Sequence, residues 1–245
     1  YRIVDSITDP PGSEPLSTER LWRLDPCLLC YTPRADAPPV APPPAVAGNP
    51  VTFGSFHNLS KLNDKLLSLY ARTLAATPGS RLLFKYRGLE NPRLRESFGL
   101  RLAAFGIPSD RAVLEPPAPD TRATLDAHRR IDIMLDSFPF NGATTTCNAL
   151  FMGVPVIALS GDRSASRVGA SILAAIGRRE LIAESPDGFV HAAAALAGDA
   201  PRLAGLRSRL RADLLASPLG DAPAFARRFE SALRALWRSG QATAP

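Results

Sequence analysis

From residue 51 to residue 183 the chain alternates short apolar runs with longer segments of helical periodicity, and this alternation limits the possible folds more than any other feature. VTFGSF (51–56), RLLFKY (81–86), AVLEP (112–116), IDIMLD (131–136), PVIAL (155–159) and ELIA (180–183) read as strands. Helical patterns lie between them, over 64–76, 92–105, 121–129, 144–152 and 164–176. In the first of these, Leu66, Leu67, Leu69, Tyr70 and Leu74 recur at helical spacing. Strands separated by helices with short loops predict an α/β fold with a Rossmann-like parallel sheet and helices on both faces. Three further helical patterns, 187–198, 201–215 and 223–238, close the chain. The last carries Phe225, Phe229, Leu233, Leu236 and Trp237 along one face. There is no internal repeat.

Residues 32–50, TPRADAPPVAPPPAVAGNP, hold seven prolines. Proline fixes φ and removes a donor, so the segment reads as an extended, semi-rigid connection between two domains. Residues 1–31 are too few for a domain and read as the tail of one. The chain lacks a starting Met, so it reads as a piece of something longer. The expected layout is therefore a tail (1–31), a linker (32–50), a Rossmann-like domain (51–220) and a C-terminal helix (221–245).

A length of 245 residues with 45% hydrophobic and 21% charged residues is enough to bury a core, and it argues against disorder. No apolar run is long enough to span a bilayer, and the polar, acidic start is not a signal peptide. The net charge of +6 comes almost wholly from arginine, because lysine occurs only at 61, 65 and 85. Those arginines are scattered and not interleaved with aromatics. They reflect a GC-rich composition, and neither a nucleic-acid nor a membrane partner is expected. Cys27 and Cys30 have CxxC spacing, but no second pair or histidine cluster follows to complete a zinc site, so both are read as core. Three reduced cysteines fit a cytoplasmic protein.

In a parallel sheet of this kind ligands bind beyond the carboxyl ends of the strands. The loops at those ends are 55–63, 86–91, 116–124, 137–146 and 160–168. The first contains His57, Asn58 and Lys61. A lysine there can neutralise a diphosphate as a point charge. The plainer reading is an exposed lysine beside an N-cap at Asn63. The fourth loop runs Asn141-Gly142-Ala143-Thr144-Thr145-Thr146 into a helix. Free N–H groups and the positive dipole end at a helix start attract an anion, and threonine hydroxyls add donors. Gly142 permits positive φ and close backbone approach. The plainer reading is a helix capped by threonine. Asn148 shares a helical face with Thr144 and can reach a ribose hydroxyl; the plainer reading is a solvated polar residue. His191 reads as a surface residue. His128 ends a helix, where its ring can meet the dipole. Asp132 and Asp136 share a strand face, with Asp136 ordering the following turn. No Asp-x-Asp pair, metal-ligand cluster or GxGxxG fingerprint occurs, so neither a metal cofactor nor a bound dinucleotide is expected.

FGSFHNLSKL, SRLLFKY, IDIMLDSFPFNGATTTCNALFMGVPVIALSGDRSASRVGASIL, ELIA and SPLGD occur in one order, before a final helix containing Trp237. Together they resemble the C-terminal catalytic region of the O-linked N-acetylglucosamine transferase family. That family includes the plant Spindly-type protein O-fucosyltransferases and bacterial homologues with tetratricopeptide repeats. The resemblance implies the C-terminal, nucleotide-binding half of a GT-B glycosyltransferase. It implies transfer of a sugar, with UDP-N-acetylglucosamine the leading donor, to Ser or Thr of proteins, without a metal. By the same resemblance Lys61 contacts the leaving diphosphate as the catalytic residue, and Asn58 is the amide residue before it. Thr144 and Thr145 match the threonine pair on the diphosphate, with Thr146 beside them. The acceptor is expected to bind through an N-terminal repeat region outside this sequence. Asn148 stands where relatives carry Asp or Glu for the ribose, Thr124 where many have a histidine near the nucleotide, and Ala143 where some have histidine or threonine. These departures keep two alternatives open, a GDP-fucose-dependent O-fucosyltransferase and a non-catalytic nucleotide-binding or scaffold homologue.

Overall fold

The computed structural model describes residues 1–242. Its centre is a six-stranded parallel sheet of β3 (Thr52–Ser55), β4 (Arg81–Lys85), β5 (Ala112–Glu115), β6 (Ile133–Leu135), β7 (Val156–Leu159) and β8 (Ile182–Ala183). The strand order is β5-β4-β3-β6-β7-β8. All neighbours run parallel, with Phe53 opposite Leu82 on one side and Ile133 on the other. β6 and β7 are buried along their whole length, as expected of strands covered on both faces.

The helices are α1 (Asp64–Ala75), α2 (Pro92–Ala104), α3 (Thr121–Asp126), α4 (Thr144–Phe151), α5 (Val168–Ala175), α6 (Pro186–Ala197), α7 (Ala200–Ala216) and α8 (Ala222–Ala242). α1 packs on α6, while α4 packs on α5 and α7. The sheet is thus covered on both faces, as the alternation predicts. The main departures are at element ends. The 121–129 segment splits into α3 and a 3-10 turn at Ala127–Arg130, and 164–176 into a 3-10 turn at Ser164–Ser166 followed by α5.

Residues 1–31 form a two-stranded parallel sheet, β1 (Arg2–Val4) with β2 (Leu21–Arg23), joined to α5 by polar contacts. Buried Asp5 accepts bonds from the Thr8 N–H, the Leu28 N–H and the Ser171 hydroxyl. Cys27 is buried beside Ser171, but Cys30 is exposed, so only the first of the CxxC pair is core.

The Pro-rich segment 32–50 is strapped along the domain. Buried Arg207 of α7 donates to Ala41 O at 2.5 Å and to Ile131 O at 2.6 Å. Arg211 donates to Pro38 O at 2.7 Å. Asp132, buried ahead of β6, accepts from the N–H groups of Ala45 and Thr52. The segment also contains a 3-10 turn at Pro44–Ala47, which proline at the first position allows without loss of a donor. His128 lies buried with its ring against Phe56, and its Nδ1 sits 3.1 Å from Thr124 O and 3.0 Å from Leu125 O, so the ring meets the end of α3 from within the core. His191 is exposed, as expected.

Candidate functional site

The strand order places β3 and β6 side by side although β4 and β5 lie between them in the chain. At that point the connections stop running toward β5 and start running toward β8. The crevice beyond the carboxyl ends of such a pair is where open α/β sheets bind ligands. The loops leaving β3 and β6 meet there. Lys61 Nζ donates to Asn141 O at 2.9 Å and lies 4.2 Å from the centre of the Phe140 ring. Asn63 donates to Phe138 O at 2.7 Å and caps α1 by accepting from the Leu66 N–H. Two segments some 80 positions apart in sequence are therefore laced together by polar bonds.

The turn after β6 is held from beneath. Asn141 donates through Nδ2 to Ser137 O at 2.7 Å and accepts from the Gly169 N–H at 3.1 Å. Its own N–H donates to Ala165 O. Asp136 Oδ1 accepts from both the Ser137 and the Gly142 N–H groups at 2.8 Å. Gly142 is required for close approach and not for positive φ, which it does not adopt. A Cβ there would stand 2.6 Å from Thr146 Oγ1, 3.0 Å from the His57 ring and 3.1 Å from Asp136 Oδ1.

Each helix from α1 to α6 follows its strand, so each begins at this same edge of the sheet. The N–H groups of a first turn have no partner within the helix. Side chains supply one in α1 (Asn63), α2 (Asn91), α3 (Asp120) and α6 (Ser185). α4 begins at Ala143 with no side-chain cap, and α5 at Arg167 likewise has none. The reading of the threonines as ordinary caps is thereby removed. Thr144 is exposed, Thr145 half-buried and Thr146 buried. Thr146 Oγ1 has no hydrogen-bond partner and faces the underside of the turn, so it does not offer its hydroxyl outward with the other two.

The remaining predicted residues are placed less directly. Asn58 is exposed at the start of the 3-10 turn Leu59–Lys61, and its carbonyl accepts from the Lys61 N–H. Asn148 Oδ1 accepts from the Tyr31 hydroxyl at 2.8 Å, which links α4 to the N-terminal segment. Thr124 donates to Asp120 O within α3, a local bond that does not join it to the Lys61 loop. His57 is buried under the loop and does not face the crevice. Its Nε2 lies 3.3 Å from Leu135 O, and burial lowers its pKa to about 3, so the ring is neutral. Tyr31 and Phe140 are contacts that sequence reading did not single out. The only sign of Phe140 was its place one residue before the Asn-Gly pair.

Electrostatically, the site pairs one partly buried cation with one buried acid. Burial lowers the pKa of Lys61, and the Asp136 charge opposes that shift. Burial raises the pKa of Asp136 to about 7, against the pull of the Gly142 and Ser137 N–H groups and of Lys61. The outward surface therefore carries an ammonium, an uncapped helix start and two threonine hydroxyls, a set suited to a diphosphate.

The glycosyl transferase family 41 model matches residues 45–229. This chain belongs to that family. It is 41% identical over 97% of its length to a protein from Arabidopsis thaliana named as a probable UDP-N-acetylglucosamine–peptide N-acetylglucosaminyltransferase, SPINDLY. A second Arabidopsis protein, named as the corresponding SEC transferase, is 26% identical over 98% of the chain. A solved mutant of the Thermobaculum terrenum O-GlcNAc transferase superposes with a TM-score of 0.91 at 35% identity, over 99% of this chain and 46% of that one. The fold is thus the Rossmann-like half of a GT-B architecture. An Anabaena protein solved with UDP, at 14% identity and a TM-score of 0.54, shares the fold. The chain spans about a quarter of the length of the curated relatives it matches. Among the described residues no helix is long and apolar enough to cross a membrane.

Proposed function

We propose that this chain supplies the donor-binding half of a cytoplasmic glycosyltransferase that moves a sugar from a nucleotide sugar to Ser or Thr of a protein. The observation that carries this reading is the uncapped start of α4 beside Lys61, at the point where the strand order reverses. Charge grows on the diphosphate as the glycosidic bond breaks. An ammonium and N–H groups fixed in advance stabilise that charge without reorganising, and such electrostatic stabilisation is a large part of catalysis. Asn58, Lys61, Thr144 and Thr145 would contact the donor, Asn148 its ribose, and Thr124 the far side of the nucleotide. Thr146 would support the turn. UDP-N-acetylglucosamine is the leading donor, in keeping with the names its relatives carry. No resident cofactor is needed for this chemistry, and turnover is expected to persist in excess EDTA. The acceptor would bind through parts of the protein outside this chain.

The test is a thermal-shift series on the full-length protein with UDP, GDP, UDP-N-acetylglucosamine, GDP-fucose and phosphate. A nucleotide diphosphate should stabilise the fold far more than phosphate does. No response to any nucleotide at millimolar concentration would overturn the donor-site reading. A larger response to GDP-fucose than to UDP-N-acetylglucosamine would replace the donor and leave the site standing.

A further inference from the structure

The anion-binding surface rests on a buried polar platform that the reaction itself does not use. Three side chains surround the Cα of Gly142: Asp136, His57 and Thr146. Each is at most 2% exposed, and each keeps one polar atom without a hydrogen-bond partner, namely Asp136 Oδ2, His57 Nδ1 and Thr146 Oγ1. Buried polar groups left unpaired are costly, so three around one glycine call for an explanation. Asp136 is the one that reaches the turn directly, through the Gly142 N–H. Gly169 leaves room for its other oxygen, because a Cβ at position 169 would stand 2.5 Å from Oδ2.

We propose that Asp136 is the positioning residue of the donor site, turning the Gly142 amide inward so that the next N–H groups, at the start of α4, face the diphosphate. The proposal rests on the donor-site reading above. Its second consequence is a proton linkage. A diphosphate placed on the outer side of the same turn brings negative charge toward a buried carboxyl. That charge favours the protonated acid, because like charges disfavour ionisation.

The groups facing Asp136 from its neighbours leave it alone to titrate near neutrality. His57, from the β3 loop, is held neutral with a pKa of about 3. Tyr70 of α1, which donates to the Asp136 carbonyl, is pushed by burial far above its ordinary value. Cys147 of α4 is pushed up to about 12. α5 presents Gly169 there, and β7 a backbone carbonyl at Ile157. Lys61, from the β3 loop, has its pKa drawn down by burial, and the Asp136 charge opposes that shift. With Asp136 free to ionise at about pH 7, donor binding takes up a proton between that pH and the higher pKa of the bound state, and none well below it. Affinity should therefore be flat in acid and fall as pH rises through neutrality.

The experiment is calorimetric titration of UDP-N-acetylglucosamine and GDP-fucose, whose diphosphate diesters have no titrating oxygen near neutral pH, into the full-length protein. It spans about pH 6 to about pH 8.5 in buffers of differing ionisation heat. The wild type should lose affinity several-fold as pH rises, with buffer-dependent heat reporting proton uptake. The loss is at most about tenfold per pH unit for one linked proton. D136N keeps an oxygen that accepts both N–H bonds, so it should bind as the wild type does in acid and show no neutral-pH fall. D136A loses the acceptor and should bind at least tenfold more weakly at every pH. A wild type without proton uptake, or D136N with the wild-type pH profile, would overturn the linkage. D136A with wild-type affinity would overturn the positioning role. Failure of both sugar nucleotides to bind the wild type would instead sink the donor-site reading.

Discussion

α4 and α6 begin at the same edge of one sheet, each directly after a strand-end loop, yet their first turns are built in opposite ways. α6 follows β8 and is closed by its own cap, with the Ser185 hydroxyl accepting from the Gly188 N–H at 3.0 Å. α4 follows β6 and has no such cap. The polar side chains before α4 bond elsewhere. Asn141 reaches back to Ser137 and across to Gly169, and Asp136 takes the Gly142 amide. One loop thus satisfies its helix, while the other fixes its own shape and leaves the helix start open. A capped start contributes to stability, whereas an open, rigid start is suited to hold an anion.

The largest expected effect comes from removing the cation beside the open start. Lys61→Ala in the full-length enzyme should lower kcat more than it raises KM, because the lost interaction strengthens as charge develops on the leaving diphosphate. The loss should be about 2.7–4 kcal/mol, the usual range for one preorganised donor. Steady-state kinetics at saturating donor decide it, and an unchanged kcat would sink the assignment.

Next comes the half-buried hydroxyl at the open start. Thr145→Val keeps the shape and removes the donor. It should weaken nucleotide binding by roughly 1.5–3 kcal/mol, the range for a hydrogen bond to a charged group, with little change in melting temperature. A large drop in melting temperature with intact binding would mean that α4 relies on its threonines as α6 relies on Ser185. The two helices would then begin in the same way.

The strands and helices were legible because their apolar periodicity survives in the packed core, and the Asn-Gly-Ala-Thr-Thr-Thr run was legible because its residue types are those of a turn into a helix. The missing cap was not legible. Threonine is a common cap, and only the backbone geometry at Ala143 shows that none of the three serves as one. The inward face of Thr146 and the burial of His57 were equally hidden, because both depend on how far two strand-end loops interpenetrate. The Pro-rich strap was legible only as a segment unable to form a long helix or a central strand. Its docking depends on Arg207, a residue about 160 positions away that reads in sequence as one more helical arginine.

Close approach beneath the turn gives a third test. Gly142→Ala places a methyl group 2.6 Å from Thr146 Oγ1 and 3.0 Å from the His57 ring. Overpacking of this sort costs about 1–3 kcal/mol. Here the turn should yield first, since its outer side faces the crevice. Nucleotide affinity should fall alongside stability, read by calorimetry and thermal melting on the same sample. Full affinity in a destabilised protein would show that the turn can shift without disturbing the α4 start.

The smallest effect is the control at the capped helix. Ser185→Ala removes the acceptor of the Gly188 N–H without touching the crevice. Loss of such a cap costs about 1 kcal/mol, which for a domain of this size corresponds to a melting shift of roughly 2–4 °C. Nucleotide affinity should not change, since Ser185 lies after β8, at the edge of the sheet and away from the β3–β6 pair. The informative outcome is the contrast with Thr145→Val. The serine change should move stability alone, and the threonine change binding alone. If the serine change also weakened the nucleotide, the anion site would extend along the whole strand-end edge, and the division between closed and open helix starts would no longer locate it.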